Sequence, residues 1–377
     1  MKTREIGFAF AAVTAGLALV VLVLWAAGFL VRGLPLLYRD AEFAGDMSPL
    51  EPVSGLALPI DVEPKRFEPR PQELKPAHGT HLPRGFVGQD GDGISWLLPN
   101  AKGRSYKNTL SGEKVYDVFY ETDAEARRRT PGQGEPTRTK PFLFLGCSFV
   151  FGDGVEQDQT LAAAASRLEK NYRFYNYGML GIGPGNLLRR VRMPEFGRDL
   201  PRAGGKAVYL MMDHHLNRVV GSLDIYQNSF NWDRGLPEFT LSRDGALIDH
   251  GSFAQARPVL GRLYRALGRL DVLTYFQVNF PRRFGRGHSE LFAAIVRELG
   301  KELERGFNLD FYTVIYPGGR VGHRLVPFLN AAGVRTLDYS AVNLTEHMAE
   351  SPSLADGHPS PAAHEFVAAQ ILKDLKL

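Results

Sequence analysis

The stretch FLGCSFVFGDG, residues 144–154, decides the fold. It closes an apolar run, Pro141 to Leu145, at Gly146, and sets a small hydroxyl residue, Ser148, two positions later. From about Gln157 to Lys170 the spacing turns helical, through Leu161, Ala164, Ala165 and Leu168. An apolar run stopped by glycine and followed by a helix reads as a buried strand, a tight turn and a crossover helix. A serine on such a turn stands at the carboxyl edge of a parallel sheet, where α/β proteins place reactive groups.

The rhythm continues on the C-terminal side. YRFYNYG (172–178) reads as a second strand, PGNLLRRVRMPEF (184–196) as a second helix and KAVYLMM (206–212) as a third strand. Residues 286–305 are helical, with Leu291, Ala294, Ile295, Leu299 and Leu303 on one side. DFYTVIYP (310–317) and GVRTLDYS (333–340) supply a fourth and a fifth strand. Ser360-Pro361 opens a last helix, with serine as N-cap and proline at the first position. Alternating strands and helices imply parallel strands joined by crossovers, hence an α/β fold with a five-stranded parallel sheet. Residues 221–285 break the rhythm and read as an insertion. Its aromatic residues Tyr226, Trp232, Tyr264 and Tyr275 are core residues or a stacking surface for sugar rings.

On the N-terminal side, residues 84–140 carry short β-prone runs, GISWLLP (93–99) and KVYDVFYETD (114–123), and form a β-rich extension. The polar loop over 128–140 reads as solvated, basic residues included. Residues 33–83 hold nine prolines between Pro35 and Pro83 and read as an extended stalk. Ile6 to Val31 carries no charged residue, and a bilayer core needs about 20 apolar residues. Residues 1–32 are therefore expected to be a transmembrane anchor, with Trp25-Ala26-Ala27 leaving cleavage open. Lys2 and Arg4 before the span, against Arg32 and Arg39 after it, favour a single-pass inner-membrane protein with its globular part periplasmic or extracellular. The domain itself is expected over 84–377.

Composition is that of an ordinary globular chain: 44% apolar, 23% charged, net charge +4 over 377 residues. No basic run interleaved with aromatics points to nucleic acid. The single cysteine, Cys147, excludes an intramolecular disulfide and a cysteine metal site.

An unactivated serine is a poor nucleophile and needs a base that is itself oriented by a carboxylate. DGHP, residues 356–359, offers both: His358 as base and Asp356 as orienter. These residues follow the fifth strand, so their loop opens on the same sheet edge as Ser148. The Ser148 N–H and the loop glycines Gly178, Gly181 and Gly183 are candidate oxyanion donors. Asp213, His214 and His215 end the third strand. Adjacent side chains on extended backbone point to opposite sides, which argues against a shared metal ion and leaves one histidine lining the substrate pocket, or both as surface. Asp153 reads as a turn residue that favours a helix start through the dipole.

FLGCSFVFGDGV, NYGMLGIGPGN (176–186), a strand ending in MMDHHLNR (211–218) and DGHP resemble, in order and spacing, the four blocks of the SGNH (GDSL-type) hydrolase superfamily. The resemblance covers roughly 141–220 and 310–377. It implies a flavodoxin-like three-layer sandwich and hydrolysis or transfer of esters, with no cofactor and no metal. Residue by residue, it implies Ser148 as nucleophile, Gly181 as oxyanion glycine, and Asp356 and His358 as acid and base. Three departures stand out. Gly-Cys-Ser replaces the usual Gly-Asp-Ser, which makes Cys147 a conceivable rival nucleophile. Met212 and Asp213 occupy the place of an Asn-Asp pair, so the usual Asn donor is missing, with His214, His215 or Asn217 as possible substitutes. The Asp-x-His spacing is that of alginate-type acetyltransferases. The expected function is an extracytoplasmic serine esterase or O-acyltransferase acting on ester groups, acetyl first, of a polysaccharide or related glycan, with envelope polysaccharide machinery as partner. The alternative is a catalytically inactive glycan-binding or polysaccharide-assembly protein on the same fold.

Overall fold

The computed structural model describes residues 14–16, 19, 22, 86–89, 95–108, 114–228, 235–268, 270, 273, 278–281 and 283–377. In chain order, β1 (Val87–Gln89) and β2 (Ser95–Leu97) form one antiparallel pair, and β3 (Lys102–Asn108) and β4 (Lys114–Glu121) a second. Then follow β5 (Lys140–Gly146), a one-turn helix α1 (Ser148–Phe151), α2 (Leu161–Leu168), β6 (Tyr172–Gly178), α3 (Pro184–Arg192) and β7 (Gly205–Met211). Residues 214–267 hold α4 (His214–Val220), α5 (Leu223–Asn228), the antiparallel pair β8 (Pro237–Leu241) and β9 (Leu247–Ser252), α6 (Phe253–Ala256) and α7 (Pro258–Leu267). The chain closes with α8 (Arg286–Phe307), β10 (Leu309–Ile315), α9 (Arg320–Ala331), β11 (Thr336–Asp338) and α10 (Pro361–Asp374).

Five strands make one sheet in the order β11-β10-β7-β5-β6, and each neighbouring pair is parallel. Numbered by appearance within the sheet this is 2-1-3-4-5 read from the β6 edge, a doubly wound order that reverses between β5 and β7. Strand periodicity explains the apolar runs. Phe142 and Phe144 share one cluster with Val208, Leu210 and Val314, against Leu161 and Ala165 of α2 and Val367 and Ile371 of α10. Leu143 and Leu145 join Ala207, Tyr209 and Met211 on the other face, against Leu187 and Leu188 of α3, Phe292 and Leu299 of α8 and Leu325 and Leu329 of α9. A strand buried on both faces cannot alternate apolar with polar, so it reads as a continuous apolar run. Each such side chain contributes about 1.5–3 kcal/mol on burial. The result is a three-layer α/β/α sandwich. Ser360 caps α10 by accepting the Ala363 N–H, and Pro361 holds its first position.

The anchor requires correction. Among the described residues no helix is long and apolar enough to cross a membrane. The longest, α8, has the length, but Glu290, Arg297, Glu298, Lys301, Glu302 and Glu304 make it amphipathic, with only one side apolar. Of residues 6–31, only Thr14 to Gly16, Leu19 and Leu22 are described, as helical and exposed. The remainder of that stretch, and the stalk expected at 33–83, lie outside the described residues. The membrane partner at 6–31, the inner-membrane location and the link to envelope machinery rested on the span and fall with it. A second correction concerns the loop after β4, where Arg128 and Arg138 are buried rather than solvated.

Candidate functional site

Ser148 opens α1 directly after β5, and Asp356 and His358 lie on the loop that leads into α10. Both segments emerge at the carboxyl edge of the sheet. His358 Nε2 lies 3.1 Å from Ser148 Oγ, and Nδ1 lies 3.0 Å from Asp356 Oδ2. A carboxylate at Nδ1 keeps the proton there and turns the Nε2 lone pair towards the serine hydroxyl. Asp356 Oδ1 also accepts the His358 backbone N–H at 3.2 Å. Gly357, between them, has φ +86°, a left-handed conformation that favours glycine and curls the acid back onto the base. Ser148 is 8% exposed, and the Phe149 ring lies 5.7 Å from the imidazole.

The β3–β4 hairpin completes this edge, which the sequence did not disclose. Lys107 of β3 donates to Asp356 Oδ2 at 2.9 Å. Burial alone would raise the Asp356 pKa, but the His358 hydrogen bond and the charges of His358 and Lys107 bring it well below the usual carboxylate range. Tyr120 of β4 donates its hydroxyl proton to Asp153 Oδ1 at 2.7 Å and accepts the Gly154 N–H at 2.8 Å. Asp153 is a buried residue whose Oδ2 lies 3.6 Å from His358 Nε2. Burial raises the Asp153 pKa, opposed by the His358 charge and the Tyr120 hydrogen bond. Burial would lower the pKa of His358, yet the Asp356 hydrogen bond and the Asp153 and Asp356 charges raise it.

Arg128, fully buried after β4, grips the same turn. It donates to the carbonyls of Phe151 at 2.9 Å, of Val155 at 2.7 Å and of Gly152, and stacks over the Tyr120 and Phe151 rings. Burial lowers its pKa to about 10, which leaves it charged at neutral pH. Arg128→Met removes every one of those donors and strands buried carbonyls. The variant is expected to lose about 3–5 kcal/mol of stability, read as a lower urea midpoint.

The remaining sequence candidates are placed as follows. Gly178 ends β6 beneath α1. A Cβ there would lie 2.1 Å from the Phe151 backbone nitrogen, so the space is filled by packing, not by substrate. Asn176 holds α1 from the same strand by donating to the Val150 carbonyl at 2.8 Å. Gly181 and Gly183 lie on the buried loop between β6 and α3. Asp213 accepts the Gly322 N–H of α9 at 2.9 Å. His214 is exposed, whereas His215 is fully buried with Nδ1 2.6 Å from the Tyr209 hydroxyl. Asn217 is buried and donates to Asp224 at 2.6 Å. None of these three bonds is made with Ser148 or His358. Met212 is half-buried in the cluster below α10. Cys147 is buried, with Sγ 4.0 Å from Ser148 Oγ. The rings of Tyr226 and Tyr264 meet edge to face at 5.5 Å, while Trp232 and Tyr275 lie outside the described residues.

No family model matches the chain, and no curated protein matches it. Solved structures similar to it include a lipolytic protein of the G-D-S-L family from Desulfitobacterium hafniense, at 10% identity and TM-score 0.33, covering 62% of this chain and 98% of that one. A G-D-S-L family protein from Veillonella parvula matches at 11% and 0.33, covering 62% and 97%. An acetyl xylan esterase from Butyrivibrio proteoclasticus matches at 10% and 0.37, covering 64% of each chain. Likenesses this remote assign neither activity nor substrate.

Proposed function

We propose that the chain is a serine esterase or O-acyltransferase whose substrate is an acyl ester, acetyl first, on a carbohydrate. One observation supports it above the others: a single imidazole within hydrogen-bond reach of both Ser148 Oγ (3.1 Å) and Asp356 Oδ2 (3.0 Å). In this reading His358 takes the proton of Ser148 as Oγ attacks the ester carbonyl. The tetrahedral oxyanion is met by the Ser148 N–H at the start of α1 and by the Gly181 N–H. The acyl-enzyme then yields to water in hydrolysis or to a sugar hydroxyl in transfer. The carbohydrate acceptor rests on the Asp-x-His resemblance alone.

The test is a fluorophosphonate probe with the adduct located by mass spectrometry. A serine-linked adduct at Ser148, absent in His358→Ala, is the expected result. An adduct at Cys147 instead would transfer the nucleophile to its neighbour. A folded protein that takes no adduct would favour the second reading, a glycan-binding protein without turnover. Met212 at the position of the missing Asn donor supports that alternative.

A further inference from the structure

His358 is flanked by carboxylates on both ring nitrogens. On the Nδ1 side stands Asp356, already neutralised in part by Lys107. On the Nε2 side stands Asp153, which lies within the first sequence block without a catalytic role there and is supplied by the turn after α1. A buried carboxylate is costly unless paired and hydrogen-bonded. Here Tyr120 satisfies Oδ1, while Oδ2 faces the imidazole. The turn is fixed from below by Arg128, whose guanidinium is engaged with carbonyls of the same turn. The carboxylate therefore cannot swing away to solvent.

Resting on the esterase reading, we infer that Asp153 is a positioning residue for His358: its carboxylate pairs with the imidazolium formed when the ring takes the proton of Ser148. In the resting ring Nε2 addresses Ser148, and Asp153 lies at ion-pair rather than hydrogen-bond distance. As the Oγ–acyl bond forms, the proton passes from Oγ to Nε2 and the ring becomes a cation. Asp153 and Asp356 then hold that cation from opposite sides. As the ester C–O bond breaks, the leaving alkoxide takes the same proton from Nε2, and the ring returns to neutral. The same contact has a cost, since a carboxylate at Nε2 also holds the proton in the resting enzyme. The free base then forms only at higher pH.

Other charged and titratable groups around the ring are few. Lys107 reaches it through Asp356, and Tyr116 and Tyr120 of β4 act on the two acids. Arg128 lies beyond Asp153. His364 of α10 is buried and kept neutral, its pKa lowered to about 3 by burial. Among the described residues, Asp153 is thus the one carboxylate directed at the nitrogen that moves the proton.

The experiment is a histidine NMR titration of the full chain, with His358 assigned by its loss in His358→Gln, in wild type and Asp153→Asn. Asparagine keeps the shape and can still accept the Tyr120 proton. The wild-type His358 midpoint is expected above the ordinary value of about 6.5. In D153N it is expected to fall by roughly one unit. The acid limb of probe labelling at Ser148 should move with it, so that below the midpoint the labelled rate, relative to its own plateau, rises about tenfold. A wild-type midpoint at or below 6.5 overturns the inference whether or not D153N folds. An unchanged midpoint in a folded D153N overturns it too, because a purely structural role would alter stability and leave the titration in place. A midpoint that shifts while Ser148 takes no probe keeps the Asp153–His358 pairing and removes the acyl-transfer reading, so the two fail separately.

Discussion

His358→Ala is expected to lower ester turnover about 10⁴- to 10⁶-fold, a loss of roughly 5–8 kcal/mol of transition-state stabilisation. The size follows from the position of the ring. In the proposed reaction it accepts the Ser148 proton and passes it to the leaving group, and carboxylates face both of its ring nitrogens. Without it, Ser148 loses the imidazole nitrogen 3.1 Å from its hydroxyl, and Asp153 loses the ring that faces its Oδ2. The damage should fall on kcat, with KM little changed, because no carbohydrate contact is assigned to the imidazole. Steady-state kinetics on an acetylated sugar and on p-nitrophenyl acetate check it. Turnover within tenfold of wild type in a folded variant would end the proposal of a Ser148–His358–Asp356 triad.

Gly178→Ala should produce the second large effect, and by a different route. The new methyl carbon would sit 2.1 Å from the Phe151 nitrogen and 2.6 Å from the Phe151 Cα and the Val150 carbonyl carbon. These are backbone atoms of α1, so no rotamer change relieves the overlap. Either β6 or α1 has to move, and α1 carries Ser148 on its first residue. A stability loss of about 3 kcal/mol is expected, together with a fall in turnover of roughly a hundredfold from misplacing Oγ by an ångström. Thermal unfolding and kcat measured together separate the two parts. A variant with wild-type melting and wild-type kcat would show that the approach of α1 to β6 is looser than described.

What could be read from the sequence divides along physical lines. The central strands β5 and β7 are legible because they are buried on both faces, so Pro141–Leu145 and Ala207–Met211 are unbroken apolar runs. Ser148, Asp356 and His358 can be singled out because a serine directly after a buried strand and an Asp-x-His pair before the last helix stand on loops that share a sheet edge. Lys107, Tyr120 and Arg128 leave no such trace. A lysine on a strand and an arginine in a polar loop are ordinarily solvated, and their partners lie 249 and about 25 residues away. Asp153 looked like a helix-start residue because its neighbours in sequence are glycines, whereas its neighbour in space is His358. His214 and His215 were expected on extended backbone, but β7 ends at Met211 and the two open α4, where His215 turns inward and His214 is exposed. The span at 6–31 rested on hydropathy alone. Apolar length is necessary for a crossing helix, and among the described residues none is present.

The contact between Lys107 and Asp356 also has a meaning in time. A ribosome makes the chain at about 5–20 residues per second. The hairpin partner therefore exists for on the order of ten seconds or more before the acid it serves has been synthesised. Through that interval Lys107 and Tyr120 sit beside an unfinished edge, and Ser148 has no base. The proposed ester chemistry would wait until Asp356 and His358 are made and docked, so the nascent protein would pass most of its growth with Ser148 unarmed.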